Sequence, residues 1–133
     1  MAGSLPSPIC VKGFNDSYGH EAGDLALSSV GRLLGEWVRE SDIACRYGGE
    51  ELMLILPGTT SADARGRLDA LRLNVTGTRL RCQGLVLSGI RVSIGLAAAR
   101  PHEIEATDLL RRADVARYRA KEQGRNRVVD FDD

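Results

Sequence analysis

The stretch Ile43-Ala44-Cys45-Arg46-Tyr47-Gly48-Gly49-Glu50-Glu51-Leu52-Met53-Leu54-Ile55-Leu56 places two short runs of strand-forming residues on either side of a Gly-Gly pair. Both glycines can take positive φ, so the segment predicts a β-hairpin with its tip at Gly48-Gly49. Pro57-Gly58-Thr59-Thr60 then predicts the turn that closes the second strand.

Upstream of the hairpin, within Glu21–Glu40, Leu27, Val30, Leu34 and Trp37 recur at i, i+3, i+7 and i+10, and Leu33 and Val38 widen the stripe. That spacing predicts an amphipathic helix. Downstream, Ala64, Leu68, Leu71 and Val75 mark one face of a second helix over Ser61–Val75. The run Gly84–Ala99, broken at Ser88-Gly89, reads as two strand segments or one bent strand. A third helix is predicted over Thr107–Gln123, with Thr107 placed to cap it and Gly124 to stop it. Its face of Leu109, Ala113, Ala116 and Ala120 is narrow enough for close approach to a sheet, and Arg127–Phe131 follows as a closing strand. The order helix, hairpin, helix, strand, helix, strand is that of an α+β layer, with helices covering a mostly antiparallel sheet. A βαββαβ core also needs a strand before the first helix. Only Leu5–Val11 is available, and Pro6 and Pro8 make it a poor central strand. The first strand is therefore expected to be weak or missing, with residues 1–11 an atypical segment ahead of a domain over 12–133.

The chain has 133 residues, 43% hydrophobic and 27% charged, which suits one soluble globular domain and excludes a disordered tail or a rod. Lys+Arg and Asp+Glu both number 18, so there is no basic excess for nucleic-acid binding. Aromatic residues at 5% are too few for base-stacking platforms. Cys10, Cys45 and Cys82 show no CxxC spacing and read as reduced thiols of a cytoplasmic protein. No run of about 18 apolar residues predicts a membrane span, and the N-terminus lacks the pattern of a secretion signal.

Three islands carry chemistry: Lys12-Gly13-Phe14-Asn15-Asp16-Ser17-Tyr18-Gly19-His20-Glu21-Ala22-Gly23-Asp24, Arg46-Tyr47-Gly48-Gly49-Glu50-Glu51-Leu52, and Ala120-Lys121-Glu122-Gln123-Gly124-Arg125-Asn126-Arg127. Gly48 and Gly49 let backbone approach a ligand. Glu50 would present a carboxylate at the hairpin tip, where a hard cation can be shared with phosphate oxygens; alone, the same four residues make an ordinary hairpin. Lys121 and Arg125 are i, i+4 at a helix end and can reach one anion, or simply form a solvated basic cap. Lys12 and Lys121 are the chain's two lysines, against 16 arginines. Asn15 and Asp24 offer the amide and carboxylate that a guanine edge needs, and are equally good turn and cap residues.

Taken in order, these islands, with Val92-Ser93-Ile94-Gly95 and Ala113-Asp114-Val115-Ala116-Arg117-Tyr118, resemble the GGDEF family of diguanylate cyclases in its GGEEF version, from about Lys12 to Val129. The resemblance implies a nucleotidyl cyclase or polymerase-palm fold, a ferredoxin-like βαββαβ sandwich. It implies condensation of two GTP molecules into cyclic di-GMP with release of pyrophosphate, across a homodimer, with Mg²⁺ or Mn²⁺ activating the attacking 3′-hydroxyl. By position, Asn15 and Asp24 would bind guanine, Gly48 and Gly49 would lie against the nucleotide, Glu50 would hold metal with Glu51 beside it, and Lys12, Lys121 and Arg125 would neutralise phosphates. Arg39 and Asp42 match an RxxD product-inhibition site for cyclic di-GMP.

The family writes its entry roughly D-x-D-x-F-K-x-x-N-D. Counting back from Asn15 puts the metal-binding aspartate at Ser7, the second aspartate at Ile9 and the aromatic at Val11, and Leu52 replaces the usual Phe. Ser7 removes a carboxylate, so the resemblance allows two readings: a cyclase weakened at its metal site, or a degenerate domain that binds GTP or cyclic di-GMP and signals without catalysis.

Overall fold

The computed structural model describes residues 8–16, 31, 33–46, 51–77, 79–82, 84–87, 89–101 and 105–133. Its elements are β1 (Ile9–Asn15), β2 (Ile43–Arg46), β3 (Glu51–Leu56), α1 (Ser61–Gly77), β4 (Leu80–Cys82), β5 (Leu85–Leu87), β6 (Val92–Ala98), α2 (Ala106–Glu122) and β7 (Arg127–Asp130). Residues 33–37 are also helical. Five strands form one sheet in the order β2-β3-β1-β6-β7, and β4 and β5 form a separate pair. All pairings are antiparallel except β6–β7, whose parallel strands are joined across the sheet by α2.

The expected α+β architecture is present, and so is the strand expected to be weak or missing. β1 is the central strand, paired on one side with β3 and on the other with β6. The prolines do not oppose this, because the strand starts at Ile9, after Pro8. Pro8 contributes only its carbonyl, which accepts the Ala99 N–H at 2.9 Å. Position 11 falls inside this strand. Burial on both faces follows: Ile9, Cys10, Val11, Lys12 and Asn15 are all buried.

One face of the sheet (Ile9, Val11, Leu54, Leu56, Val92, Ile94 and Leu96) packs on Ala64, Leu68, Leu71 and Val75 of α1 and on Leu34. The predicted stripe of α1 is the observed one. Thr60 starts this helix, its hydroxyl accepting the Asp63 N–H at 3.1 Å. In the upstream helix Leu34 is buried and Leu33, Trp37 and Val38 pack beside it, while Leu27 and Val30 lie outside the described residues.

On the other face, Ala113, Ala116 and Ala120 of α2 lie against Cys10, Ala97 and Val129. A Cβ on Gly95 would stand 2.0 Å from the Arg117 backbone nitrogen and 2.6 Å from the Ala113 carbonyl oxygen, so α2 rests directly on the β6 backbone. The N-cap of α2 is Glu105, in extended conformation and without a side-chain cap bond, so the cap expected at Thr107 is not made. At its other end Gly124, with φ 121°, lets the Arg125 N–H return to the Ala120 carbonyl at 2.9 Å. The run 84–99 is two strands, β5 and β6, and β5 pairs with β4, a short strand the sequence pattern did not single out. Among the described residues no helix is long and apolar enough to cross a membrane.

Candidate functional site

Side chains of a strand alternate between the faces of its sheet. Cys10 packs under α2, so Lys12 and Phe14 share that face. The ladder sets Phe14 opposite Glu51 on β3 and opposite Ser93 on β6, and sets Lys12 opposite Met53 and Gly95. The missing side chain at Gly95 lets α2 come down beside Lys12, which is only 5% exposed. The last turns of α2 then extend over the hairpin end of the sheet. The Lys121 ammonium lies 4.3 Å from the centre of the Phe14 ring, and the Arg117 guanidinium lies 5.6 Å from it. Arg117 Nε is 3.0 Å from an Asp114 oxygen and 3.9 Å from Glu51 Oε1.

Lys12, Glu51, Asp114 and Arg117 border a cleft of about 320 Å³ between α2 and the sheet, which Thr107, Leu110 and Arg111 also line. The structure therefore brings two predicted site residues, Lys12 and Glu51, to one cleft, and sets a third, Lys121, over Phe14, the residue opposite Glu51. Arg125 follows in the exposed turn beyond α2, at φ 63°. Gly48, Gly49 and Glu50 lie outside the described residues, as do Asp24 and Ser7.

Asn15 is buried at the end of β1, opposite Val92 on the α1 face. Next to it, Asp16 anchors the chain as it leaves the sheet. Its N–H donates to the Arg91 carbonyl at 2.9 Å, and its carboxylate accepts the hydroxyl of fully buried Ser93 at 2.5 Å. Arg39 and Asp42 are joined to each other: Asp42 Oδ2 accepts the Arg39 backbone N–H at 2.8 Å and Arg67 Nη2 at 3.2 Å. The Asp42 side chain is 1% exposed, and Arg67 stacks on Trp37 at 4.4 Å.

Two features of the site were not singled out from the sequence as chemistry. Phe14 is the ring that Lys121 and Arg117 approach, and Arg117 is the cation that faces Glu51. Phe14 and Arg117 stand in quoted motifs, but only the strand register puts them together.

A divalent metal shared by two carboxylates requires both within a few ångströms of one point, since Mg²⁺–oxygen bonds are about 2.0–2.1 Å. Both positions that the resemblance gives to metal, Ser7 and Glu50, lie outside the described residues. Ile9 pairs with Leu56, five residues along β3 from Glu51, or about 17 Å at strand rise. The β1 residue that faces Glu51 is Phe14, and the neighbouring carboxylate, Asp16, is bonded to Ser93. Among the described residues no cluster of three or more His, Cys, Asp or Glu is placed to hold a metal ion.

Comparison with known proteins agrees with this architecture. The profile of the family described as "Diguanylate cyclase, GGDEF domain" matches residues 10–127. The response regulator PleD of Caulobacter vibrioides is 39% identical over 119 residues, 89% of this chain and 26% of PleD. Diguanylate cyclase A of Treponema denticola is 35% identical over 118 residues, 89% of this chain and 32% of that protein. The chain thus spans about a quarter to a third of the length of these curated relatives. Among solved structures, the GGDEF domain of DgcB from Caulobacter crescentus, in complex with c-di-GMP, superposes with a TM-score of 0.82 at 30% identity, covering 96% of this chain and 80% of that one. The active GGEEF domain of a diguanylate cyclase from Vibrio cholerae gives 0.79 at 25% identity, with 94% and 83% covered. Ordered motifs, sheet topology and profile all converge: this chain belongs to the GGDEF-domain family of diguanylate cyclases.

Proposed function

We propose that this domain binds GTP at the hairpin end of its sheet and acts in cyclic di-GMP signalling as a nucleotide-binding module, with condensation to cyclic di-GMP strongly impaired. The observation that carries the reading is the β1–β3 register. It brings Lys12, Arg117 and Glu51 to one cleft and sets Phe14, with Lys121 over its ring, opposite Glu51. Cations suited to phosphate remain, while counting along the motif puts Ser7 where the family carries its metal-binding aspartate. GTP as ligand suits a cytoplasmic site of action.

A working cyclase is the second reading, favoured by the relatives that bear that name and by Lys12 and Glu51 sharing one cleft. In that reading two copies meet face to face, each presenting one GTP, with Asn15 and Asp24 on guanine, Gly48 and Gly49 against the nucleotide, and Arg125 on phosphate. Arg39 and Asp42 are less suited to bind cyclic di-GMP, because a guanine would have to displace Arg67 and a backbone N–H from a buried carboxylate.

The test is GTP binding by calorimetry, alongside an end-point assay with GTP and Mg²⁺ or Mn²⁺, its products resolved by ion exchange. Saturable GTP binding with little or no cyclic di-GMP supports the module. Multiple turnovers by the unmodified chain would establish the cyclase instead.

A further inference from the structure

We infer that Arg72 of α1 is the positioning residue for Arg125: it locks the turn between α2 and β7 in a left-handed conformation and so fixes where the Arg125 cation stands. The inference deepens the GTP-binding reading above and rests on it for the ligand that Arg125 meets.

The turn is strained where it carries charge. Gly124, Arg125 and Asn126 have φ of 121°, 63° and 46° in succession. Glycine adopts such angles freely and asparagine tolerates them, but in arginine they crowd Cβ against the following carbonyl oxygen. A left-handed arginine persists where its surroundings over-determine it. Three contacts do so here. The Arg125 N–H donates to the carbonyl of fully buried Ala120 at 2.9 Å. The Arg125 carbonyl accepts Arg127 Nε at 3.1 Å. The Asn126 amide oxygen accepts Arg72 Nη1 at 3.3 Å. The first two link the turn to its own flanks, whereas the third ties it to α1, a separate element.

Arg72 is fixed before it reaches the turn. Its Nε and Nη2 lie 2.9 and 2.8 Å from Asp69 Oδ1, three positions back on α1. Its side chain is 14% exposed and borders the apolar layer with Leu71 and Val75. One edge of the planar guanidinium is thus held by Asp69 while the other delivers a donor to Asn126. A lysine would have a single ammonium to divide between the two. Arg125 itself is exposed. If its φ relaxed from 63° to the ordinary region near −65°, its Cα–Cβ bond would swing by roughly 130° about the N–Cα axis. Holding the turn therefore decides where this cation meets a ligand.

Two readouts on the whole chain test this: amide hydrogen exchange at Arg125, followed by NMR, and calorimetric titration with GTP. In Arg72→Met, which keeps the length of the side chain, the Arg125 amide should exchange about tenfold faster or more, while the Ala113 and Ala116 amides of α2 keep the parent rate. GTP binding should weaken about tenfold, as much as in Arg125→Ala. The double variant should bind no more weakly than Arg125→Ala alone, because Arg72 acts through Arg125. Arg72→Lys should recover little of either loss. A merely structural role would speed exchange throughout α2 and add its loss to that of Arg125→Ala. An Arg125 amide at the parent rate in Arg72→Met, or additive losses in the double variant, overturns the inference. If Arg72→Met does not fold, Asn126→Asp decides. It tolerates the same backbone and makes the contact to Arg72 charge-assisted, so slower exchange at Arg125 supports the inference and an equal or faster rate overturns it. A parent that binds no GTP removes the GTP reading, and exchange at Arg125 then decides the role of Arg72 by itself.

Discussion

Replacing Gly95 with Ala should unfold this domain's sheet-to-helix contact more severely than any other single methyl addition on the central strands. The added carbon would sit 2.0 Å from the Arg117 nitrogen and 2.6 Å from both the Ala113 oxygen and the Ala116 carbonyl carbon. An ordinary contact needs about 3.5 Å, so α2 would have to retreat by about 1.5 Å, and all three obstacles are backbone atoms that no rotamer change can move. Retreat would lift Ala113, Ala116 and Ala120, each fully buried, off the sheet. Overpacking costs about 1–3 kcal/mol when side chains can yield, so we expect about 3 kcal/mol or more here. That is a large part of the roughly 5–15 kcal/mol holding a domain of this size. Gly13→Ala is the matched control. Its new carbon would meet Val92 Cγ1 at 3.7 Å and Leu52 Cβ at 4.0 Å, both ordinary contacts beside an apolar cavity, so a change within about 1 kcal/mol is expected. Urea unfolding followed by circular dichroism, with equal m-values required, gives both numbers. If Gly95→Ala is destabilised no more than Gly13→Ala, the close seating of α2 on β6 is wrong.

Asp42→Ala should cost about 2–4 kcal/mol in the same assay by leaving the largely buried Arg67 without its carboxylate, and adding Arg67→Met should recover part of the loss. Arg112 is 1% exposed and donates to the Ala98 carbonyl at 2.9 Å; Arg112→Ala should cost about 3 kcal/mol or more, and Arg112→Met, which keeps the volume without the charge, less than half of that. The hydrogen bond from Arg111 holds the Asp108 carboxyl below its ordinary value of 3.8. A carboxyl lowered on folding stabilises above its unfolded pKa and loses that contribution as pH falls through the folded one, so parent and Asp108→Asn should differ in urea midpoint at pH 6 and converge as pH falls through the folded value.

Periodicity made α1 legible, because Ala64, Leu68, Leu71 and Val75 face a single apolar layer and nothing competes for them. The hairpin strands β2 and β3 were legible from turn chemistry. The central strand was not, for a physical reason: a strand covered on both faces does not alternate, and its prolines stood close enough to disqualify it until the pairing showed that Ile9 is the first ladder residue. The site was half legible. Motif order led to Lys12 and Glu51, which share a cleft, and to Lys121, which stands over Phe14. Counting along the motif led to Ser7, which lies outside the described residues. The N-cap at Thr60 had its signature, Thr followed three residues on by Asp, whereas the cap expected at Thr107 lost to a start one residue earlier.

The central place of β1 also sets a clock on biosynthesis. The strand leaves the ribosome ahead of its neighbours: its β6 partners come 77 to 89 positions later, from the pair Asn15–Val92 to the pair Ile9–Ala98. At about 5–20 residues per second, translation leaves that edge waiting roughly 4–18 s. Throughout that interval β1 and β3 can form at most a hairpin-flanked ribbon with one long apolar border open to other chains. Nascent protein should therefore depend on holdase chaperones until residue 98 clears the ribosome. Slowing translation before that point should lower soluble yield, and slowing it afterwards should not.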